Sequence, residues 1–215
     1  MIPGMSVPLP ESAGLPESPA AMHLAGQSAT AIWQAVAVDL AAAAASARHP
    51  FHLVTVATID AAGAPQARTV VLRGFDDPRR EARFHTDIRS PKVDQIGTDG
   101  RVALHWYDPA RRLQIRMAAQ AVIHHGDAVA QVAWDATQPM SRACYSTTAA
   151  PGAPVVAFLP APPPPAANDE RGFDAFAVVC CHFDAVELLA LHASGHERIR
   201  LHLAGPEPVL EIVAP

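Results

Sequence analysis

The sequence predicts a mainly β fold, an antiparallel β-barrel with peripheral α-helices. Short segments rich in apolar and β-branched residues recur between turn signals, whereas helical periodicity is confined to a few places. The clearest strand covers Leu113–Ile123, where Leu113, Ile115 and Met117 alternate with polar or small residues. Several such strands joined by short turns are typical of an antiparallel barrel.

Three helices are expected outside the barrel, and the short one that contains Lys92 is described below. An alanine-rich helix is predicted from Ser28 to Arg48, and His49-Pro50 ends it because the residue before a proline is forced out of the α region. Its apolar residues fall close to one stripe at helical spacing, and they are Ile32, Trp33, Val36 and Leu40. The second helix is predicted from Gly126-Asp127 through Trp134.

Strand signals occupy most of the remaining chain. Turn residues such as Asp60-Ala-Ala-Gly63 and Asp76-Asp77-Pro78 separate them. The predicted strand segments are Phe51–Ile59, Pro65–Phe75, Ala82–Thr86, Arg101–Tyr107, Leu113–Ile123, Phe173–Leu191, Arg198–Leu203 and Val209–Val213. Cys180 and Cys181 are adjacent within one apolar run, so strand alternation predicts that their side chains pack on opposite faces.

The length of 215 residues fits one domain that buries a sizeable core. Residues 1–20 hold five prolines among small residues, which predicts a flexible N-terminal arm. We expect residues 21–215 to form a single domain. The run Pro160–Pro165 is too short for a domain linker and is interpreted as a surface crossing.

Composition excludes several classes of function. The net charge of −5 argues against a nucleic-acid binder, which normally carries a basic face. The most apolar stretch, Ala31–Ala47, is mostly alanine and is interrupted by Gln34 and Asp39, so we expect no membrane span. Three cysteines make no disulfide framework, and no lysine or arginine precedes Arg48, which together predict a cytoplasmic protein.

No metal site is predicted from the eleven histidines. His124 and His125 are neighbours at a predicted strand end, and His192 and His196 flank a Ser194-Gly195 turn. Neither pair has a third cysteine or carboxylate ligand at the usual spacing, so the histidines are interpreted as facing solvent.

Lys92 is the only lysine among 16 basic residues. Ser90 and Pro91 are helix-start signals, so Lys92 occupies the second helical position of a short helix that ends at Gly97. The positive end of the helix dipole disfavours a cation there by about 0.3–1 kcal/mol, and a bound anion reverses this penalty. We therefore interpret Lys92 as part of a phosphate site; the alternative is that its side chain extends into water.

A second cationic candidate lies within a predicted strand. Arg68 shares one face with Val70 and Leu72, whereas Arg73 lies on the other face. One of these faces points into the barrel, and a buried guanidinium needs an anionic partner. The alternative is an arginine at the barrel rim whose charged end reaches solvent.

Four sequence motifs have the order and spacing found in a known protein family. They are Gly63-x-Pro65-x-x-Arg68-x-Val70-Val71-Leu72-Arg73, Phe84-His85-Thr86-Asp87, Arg89-Ser90-x-Lys92 and Leu113-Gln114-Ile115-Arg116. With them the chain resembles the pyridoxamine 5′-phosphate oxidase-like family of FMN-binding split barrels. Within that family it is most similar to the subgroup with an Alr4036-type FMN-binding domain.

The resemblance implies an antiparallel split β-barrel that forms a homodimer with FMN at the subunit interface. By this resemblance Arg68 and Lys92 hold the FMN phosphate, and Gln114 bonds the polar edge of the isoalloxazine ring. The whole set of implied FMN-binding residues is Arg68, Val70, Val71, Leu72, His85, Thr86, Arg89, Ser90, Lys92 and Gln114.

The resemblance further implies a flavin-dependent oxidoreductase that acts on a small molecule, with no catalytic acid or base assigned. Arg73 stands where the oxidases of the family carry a lysine for the substrate phosphate, and Arg142 and Arg198 are the other candidates for substrate binding. The C-terminal tryptophan and Arg-x-His of the oxidases are absent, and Arg200 replaces the histidine, so pyridoxamine phosphate is not the expected substrate. The alternative is a split barrel that binds flavin or haem without turnover.

Overall fold

The computed structural model of the chain describes residues 22–160, 162–163, 166 and 170–215. The predicted arm at residues 1–20 lies outside this part, as do positions 161, 164 and 165 of the proline run. A single domain over residues 21–215 stays a prediction.

The described residues form one antiparallel sheet of nine strands. The strands are β1 Leu53–Ile59, β2 Pro65–Asp76, β3 Glu81–Asp87, β4 Arg101–Asp108, β5 Leu113–His124, β6 Phe176–His182, β7 Ala185–Ala190, β8 Glu197–His202 and β9 Val209–Ile212.

Six of these strands close into a barrel. The neighbours run in the order β4, β1, β2, β3, β6 and β5, and β5 pairs with β4 to complete the ring. The remaining strands β7, β8 and β9 extend the sheet from the first residues of β5. The expected fold class, an antiparallel split β-barrel with peripheral helices, is thereby confirmed.

The helices lie around this barrel, and they are α1 Ala29–Ala45, α2 Pro91–Thr98, α3 Ala128–Asp135 and α4 Pro139–Arg142. Helix α1 begins at Ser28, whose hydroxyl accepts a hydrogen bond from the Ala31 amide at 3.2 Å. The four residues of the predicted stripe on α1 are all buried, and this face packs against β2. In the described part of the chain, no helix combines the length and apolar character needed to cross a membrane.

Most predicted boundaries differ from the observed ones by one to three residues, and three of these differences have a clear local cause. Helix α1 ends three residues before Arg48, because Ser46 is already extended and closes the last turn with its amide. Phe51 belongs to a 3₁₀ turn, Pro50–His52, whose first amide is capped by the His49 ring, so β1 starts only at Leu53. Helix α2 continues through Gly97 to Thr98, since glycine weakens a helix without ending it.

The predicted strand segment Phe173–Leu191 divides into several elements. Phe173–Ala175 forms a 3₁₀ turn that follows Gly172 at a φ of 94°, a backbone conformation that glycine adopts readily. After it come β6 and β7, separated by residues 183–184.

Two apolar cores share strand β6. The larger core fills the barrel and the space under α1 and includes Cys181. The smaller core lies between β6 and α3, where Trp134 and Phe176 pack edge to face with ring centroids 5.2 Å apart, and it includes Cys180. The predicted opposite orientation of the two cysteines is confirmed, and burial raises the pKa of both thiols.

The first prediction concerns the face of α1 that covers the barrel. Leu40 is fully buried, so Leu40→Ala removes its packing and leaves a cavity, which should lower the free energy of unfolding by about 2–5 kcal/mol. Val38 lies two residues earlier with 70% of its surface exposed, and Val38→Ala should change the stability by less than about 0.5 kcal/mol. Denaturant unfolding of both variants measures the difference, and equal losses would contradict the assigned faces.

Candidate functional site

Lys92 lies at the start of α2, where its ammonium meets two hydroxyl groups. Its Nζ donates to Ser90 Oγ at 2.6 Å and to Thr86 Oγ1 at 2.9 Å. Ser90 has the extended backbone of an N-cap and precedes Pro91, as predicted, but its hydroxyl makes no capping bond to the helix. The Ser90 hydroxyl is instead oriented toward the lysine, so the helix start is arranged around the ammonium.

Arg68 faces the same region from β2. Its guanidinium donates to Thr58 Oγ1 at 2.6 Å and to Gln95 Oε1 at 2.9 Å, and both partners are neutral. Within the part of the chain that the structure describes, neither Arg68 nor Lys92 forms a salt bridge. Two cations therefore lie near one another, and no carboxylate among the described residues is in salt-bridge contact with either.

The electrostatic consequence is visible in the pKa values. Burial lowers the pKa of Lys92, the charge of Arg68 lowers it further, and Asp87 partly opposes both effects. Burial also lowers the pKa of Arg68. Both shifts mean that the charged forms are destabilised in the protein alone, so an anion bound between the two side chains would be stabilised.

Arg89 borders this cluster with its charge already paired. Its guanidinium binds Asp87 through two bonds, Nη2 to Oδ2 at 2.7 Å and Nε to Oδ1 at 2.9 Å. It also donates to the carbonyl of Thr147 at 3.0 Å. Arg89 therefore holds the loop after α4 against the end of β3, and its predicted contact with FMN stays a prediction.

The strand β2 changes neighbours within the predicted site. Residues up to Val71 pair with β1, whereas pairing with β3 begins only at Leu72, with a register shift between Leu72 and Gly74. Val70 and Val71 therefore pair with β1 on one side and make no ladder with β3 on the other side. Leu72 is 1% exposed and packs in the main core, and its predicted place beside the flavin ring stays a prediction.

His85 and Thr86 point to opposite faces of β3, as strand alternation requires. Thr86 contacts Lys92, whereas the His85 ring packs edge to face on Phe176, with centroids 4.8 Å apart. The His85 side chain lines a separate cavity of 540 Å³. The other residues of its wall include Arg73, Arg79, Arg83, Gln138, Ser141 and Val178.

This cavity has a cationic wall. Arg83 is balanced by Glu81 at 3.0 Å and Arg79 by Asp76 at 3.8 Å, whereas Arg73 forms no salt bridge among the described residues. Burial first, and then the charges of Arg73 and Arg83, lower the pKa of His85 to about 4. The imidazole is therefore neutral at pH 7.

Arg142 and Arg198, the other candidates for substrate binding, lie in different places. Arg142 is buried, donates to the carbonyls of Thr137 and Asp135 at 2.9 and 3.1 Å, and covers the Trp134 ring. These contacts hold the loop that supplies Gln138 and Ser141 to the cavity. Direct contact between Arg142 and a substrate stays a prediction.

Arg198 lies on β8, where its Nη2 donates to Glu187 at 2.7 Å. Glu187 also forms salt bridges with Arg116 and Arg200, so its carboxylate is shared by three arginines. Gln114 lies on β5 between Tyr107 of β4 and Leu189 of β7. The structure therefore places Gln114 and Arg198 on β5 and β8, whereas the cations of the phosphate site lie on β2 and α2.

Sequence reasoning missed Thr58 and Gln95, the two neutral partners of Arg68. Thr58 continues the inward-facing series of Val54 and Val56 and is only 2% exposed. A hydroxyl at an inward position of an otherwise apolar strand indicates a polar partner inside the barrel, and this signal is present in the sequence. Gln95 follows Lys92 by three residues, which places both on one helical face.

Comparison with known proteins supports the family that the motifs indicate. Residues 30–125 match the family described as pyridoxamine 5′-phosphate oxidase, FMN-binding domain. A pyridoxine/pyridoxamine 5′-phosphate oxidase from Azorhizobium caulinodans is 36% identical over 88 residues, which cover 40% of this chain and 39% of that protein. The corresponding oxidase from Shewanella sp. strain ANA-3 is 40% identical over 67 residues, 30% of this chain and 31% of that protein. The chain thus matches well under half the length of these curated relatives.

Solved structures extend the likeness over most of the chain. A pyridoxamine 5′-phosphate oxidase-related, FMN-binding protein from Nostoc punctiforme PCC 73102 aligns with a TM-score of 0.69 at 27% identity, covering 85% of this chain and 97% of that one. PhzG from Burkholderia lata 383, solved in complex with tetrahydrophenazine-1-carboxylic acid, aligns with a TM-score of 0.65 at 18% identity, covering 88% and 95%. The second likeness shows the fold alone. Assignment to the Alr4036-type subgroup stays a prediction.

The second prediction concerns His85. Its folded pKa of about 4 lies below the ordinary histidine value of about 6.5, so between these values the unfolded chain binds a proton that the folded chain does not. The contribution of His85 to the free energy of unfolding is therefore fully present above about pH 6.5. It falls by about 3 kcal/mol as the pH drops from about 6.5 to about 4.

Two measurements check this effect. An NMR titration of the His85 ring should give a midpoint near pH 4. Denaturant unfolding between pH 4 and 7 should show a smaller loss of stability in His85→Gln than in the unsubstituted protein. A ring that titrates near 6.5 would contradict the buried, arginine-flanked environment.

Proposed function

The chain belongs to the pyridoxamine 5′-phosphate oxidase-like family of FMN-binding split barrels, and from this premise we propose that it binds FMN and acts as a flavin-dependent oxidoreductase. The observation that carries the proposal is the pair Arg68 and Lys92, two partly buried cations without a carboxylate partner among the described residues. A phosphate monoester is the anion that such a pair accommodates best, since it carries up to two negative charges and three acceptor oxygens.

The groups around these cations suit the FMN phosphate. The hydroxyls of Thr86 and Ser90 now accept from Lys92 and can rotate to donate to a phosphate oxygen. Arg68 presents a planar guanidinium that Thr58 and Gln95 hold in place. Each group thus gains a charge-assisted hydrogen bond when the phosphate enters.

The flavin ring would lie along the stretch of β2 that β3 leaves unpaired. The backbone of Val70 and Val71 offers hydrogen-bonding groups there, since their ladder partners lie on β1 alone. Gln114 lies on β5, away from the strands that carry the phosphate site. We therefore assign its contact with the ring to a second copy of the chain, in a homodimer with FMN at the interface.

The 540 Å³ cavity is the proposed substrate site. Arg73 projects there without a salt bridge among the described residues, so a small molecule that carries an anionic group fits this wall. His85 remains neutral and adds no further positive charge. Bound FMN supplies two-electron redox chemistry, while these residues bind and orient the molecule that is oxidised or reduced.

The third prediction tests the phosphate site by comparing FMN with riboflavin, which has no phosphate. Lys92→Ala should weaken FMN binding by about 10- to 100-fold, the loss expected for a charge-assisted hydrogen bond, and should leave riboflavin binding unchanged. Quenching of flavin fluorescence during titration of the flavin-free protein measures both affinities.

Arg101→Ala is the matched control, because Arg101 is 82% exposed on β4 and pairs only with Asp99 in the described structure. It should bind both flavins as the unsubstituted protein does. Equal losses of FMN and riboflavin binding in Lys92→Ala would contradict a role at the phosphate. A purified protein with a haem Soret band in place of flavin absorption would contradict the proposed cofactor.

The fourth prediction concerns the substrate. With FMN bound, the protein should produce little or no hydrogen peroxide from pyridoxamine 5′-phosphate, because Leu189 and Arg200 occupy the C-terminal region where the oxidases carry tryptophan and histidine. A peroxide-coupled assay with a known pyridoxamine phosphate oxidase as positive control measures this. Turnover comparable to that enzyme would contradict the expectation.

A further inference from the structure

His23, from the start of the described chain, meets His192 and Glu197 beside the start of β8. His23 Nδ1 lies 3.4 Å from Glu197 Oε1, and His192 Nε2 lies 3.6 Å from Glu197 Oε2. The two imidazole rings stack with their centroids 4.2 Å apart. The potential ligand atoms of all three residues lie within 4.8 Å of one another. The cluster contains none of the residues assigned to FMN or to the substrate.

His192 is the buried member of this cluster. Only 6% of its side chain is exposed, and its Nε2 has no hydrogen-bond partner among the described residues. Buried polar atoms are nearly always satisfied by a protein group, water or an ion. The unsatisfied nitrogen faces the Glu197 carboxylate, so it indicates that something polar belongs between the two side chains. The earlier interpretation of His192 as solvent-facing is therefore wrong.

Glu197 is held in place by two backbone amides. The amides of Leu24 and Ala25 donate to its Oε2 at 2.5 and 3.2 Å. These amides fix the orientation of the carboxylate from behind, as the outer partners of metal ligands do, and leave Oε1 toward His23.

From this arrangement we propose that His23, His192 and Glu197 form a binding site for a divalent transition-metal ion, with Zn²⁺ as the ion that fits best. Two imidazole nitrogens and one carboxylate are a ligand set that zinc accepts, and they leave a fourth position for water or another ligand. The sequence alone suggested no such site, because His23 and Glu197 are separated by 174 residues.

The distances fit this coordination. Zinc bonds of about 2.0–2.1 Å in a tetrahedron place the ligand atoms about 3.3 Å apart. His23 Nδ1 lies 3.4 Å from Glu197 Oε1 and His192 Nε2 lies 3.6 Å from Glu197 Oε2, so each nitrogen is close to this spacing from its nearer carboxylate oxygen. The parallel stack of the rings must open so that both nitrogens face one ion. His23 is 67% exposed and is therefore free to turn.

The test is a calorimetric titration of untagged, metal-free protein with zinc chloride. The unsubstituted protein should bind one equivalent at this site. His192→Ala and His23→Ala should each weaken the binding by about 100-fold or more, because loss of a direct ligand exceeds the roughly 10- to 100-fold effect of an outer partner. His23→Ala removes an exposed side chain, so it tests the site without disturbing the core.

His196→Ala is the control, since His196 is exposed beside the same turn and lies outside the cluster. This variant should bind zinc as the unsubstituted protein does. Substituting Co²⁺ should give the intense visible absorption of a tetrahedral site, and the two ligand variants should lose it. Absence of binding, or unchanged affinity in His23→Ala with native circular dichroism, would overturn the proposal.

Discussion

Two long strands, β2 and β5, each change neighbours partway along their length, and the arrangement of the rest of the molecule depends on this exchange. Strand β2 pairs first with β1 and then, from Leu72 onward, with β3. Strand β5 pairs with β4 along most of its length on one side. On its other side, β5 pairs with β7 near its start and with β6 near its end. The exchange closes six strands into a barrel and still leaves a stretch of β2 unpaired on one side. A barrel with complete ladders would have no such stretch for a planar ligand.

The charges are placed where this opening meets the start of α2. Burying a cation without a partner is unfavourable, and here two cations, Arg68 and Lys92, share one region in which their side-chain hydrogen bonds go to hydroxyl and amide groups. Elsewhere in the described structure, arginines with acidic neighbours are paired, as Arg89 is with Asp87 and Arg111 is with Asp108. This contrast is the basis for the proposal that Arg68 and Lys92 bind an anion.

Much of the fold followed from local rules. The stripe on α1, the alternation in β5 and the helix start at Ser90-Pro91 are set by residues close in sequence, and each was predicted within a few residues. Lys92 was singled out because helix electrostatics disfavour a cation there. The partners of Arg68 and the meeting of His23 with Glu197 depend on how distant segments pack, which periodicity does not contain.

Cys180 and Cys181 show how little adjacency in sequence means within a sheet that is covered on both sides. The Cys181 side chain belongs to the barrel interior, and the Cys180 side chain belongs to the aromatic layer beneath α3. Each position therefore tolerates or rejects a substitution according to a different set of neighbours. Strand β6 also couples the two layers mechanically, because a shift of its backbone to accommodate one side chain displaces the other toward the opposite core. Strand β6 is thus the single strand that separates the two cores and contributes side chains to both.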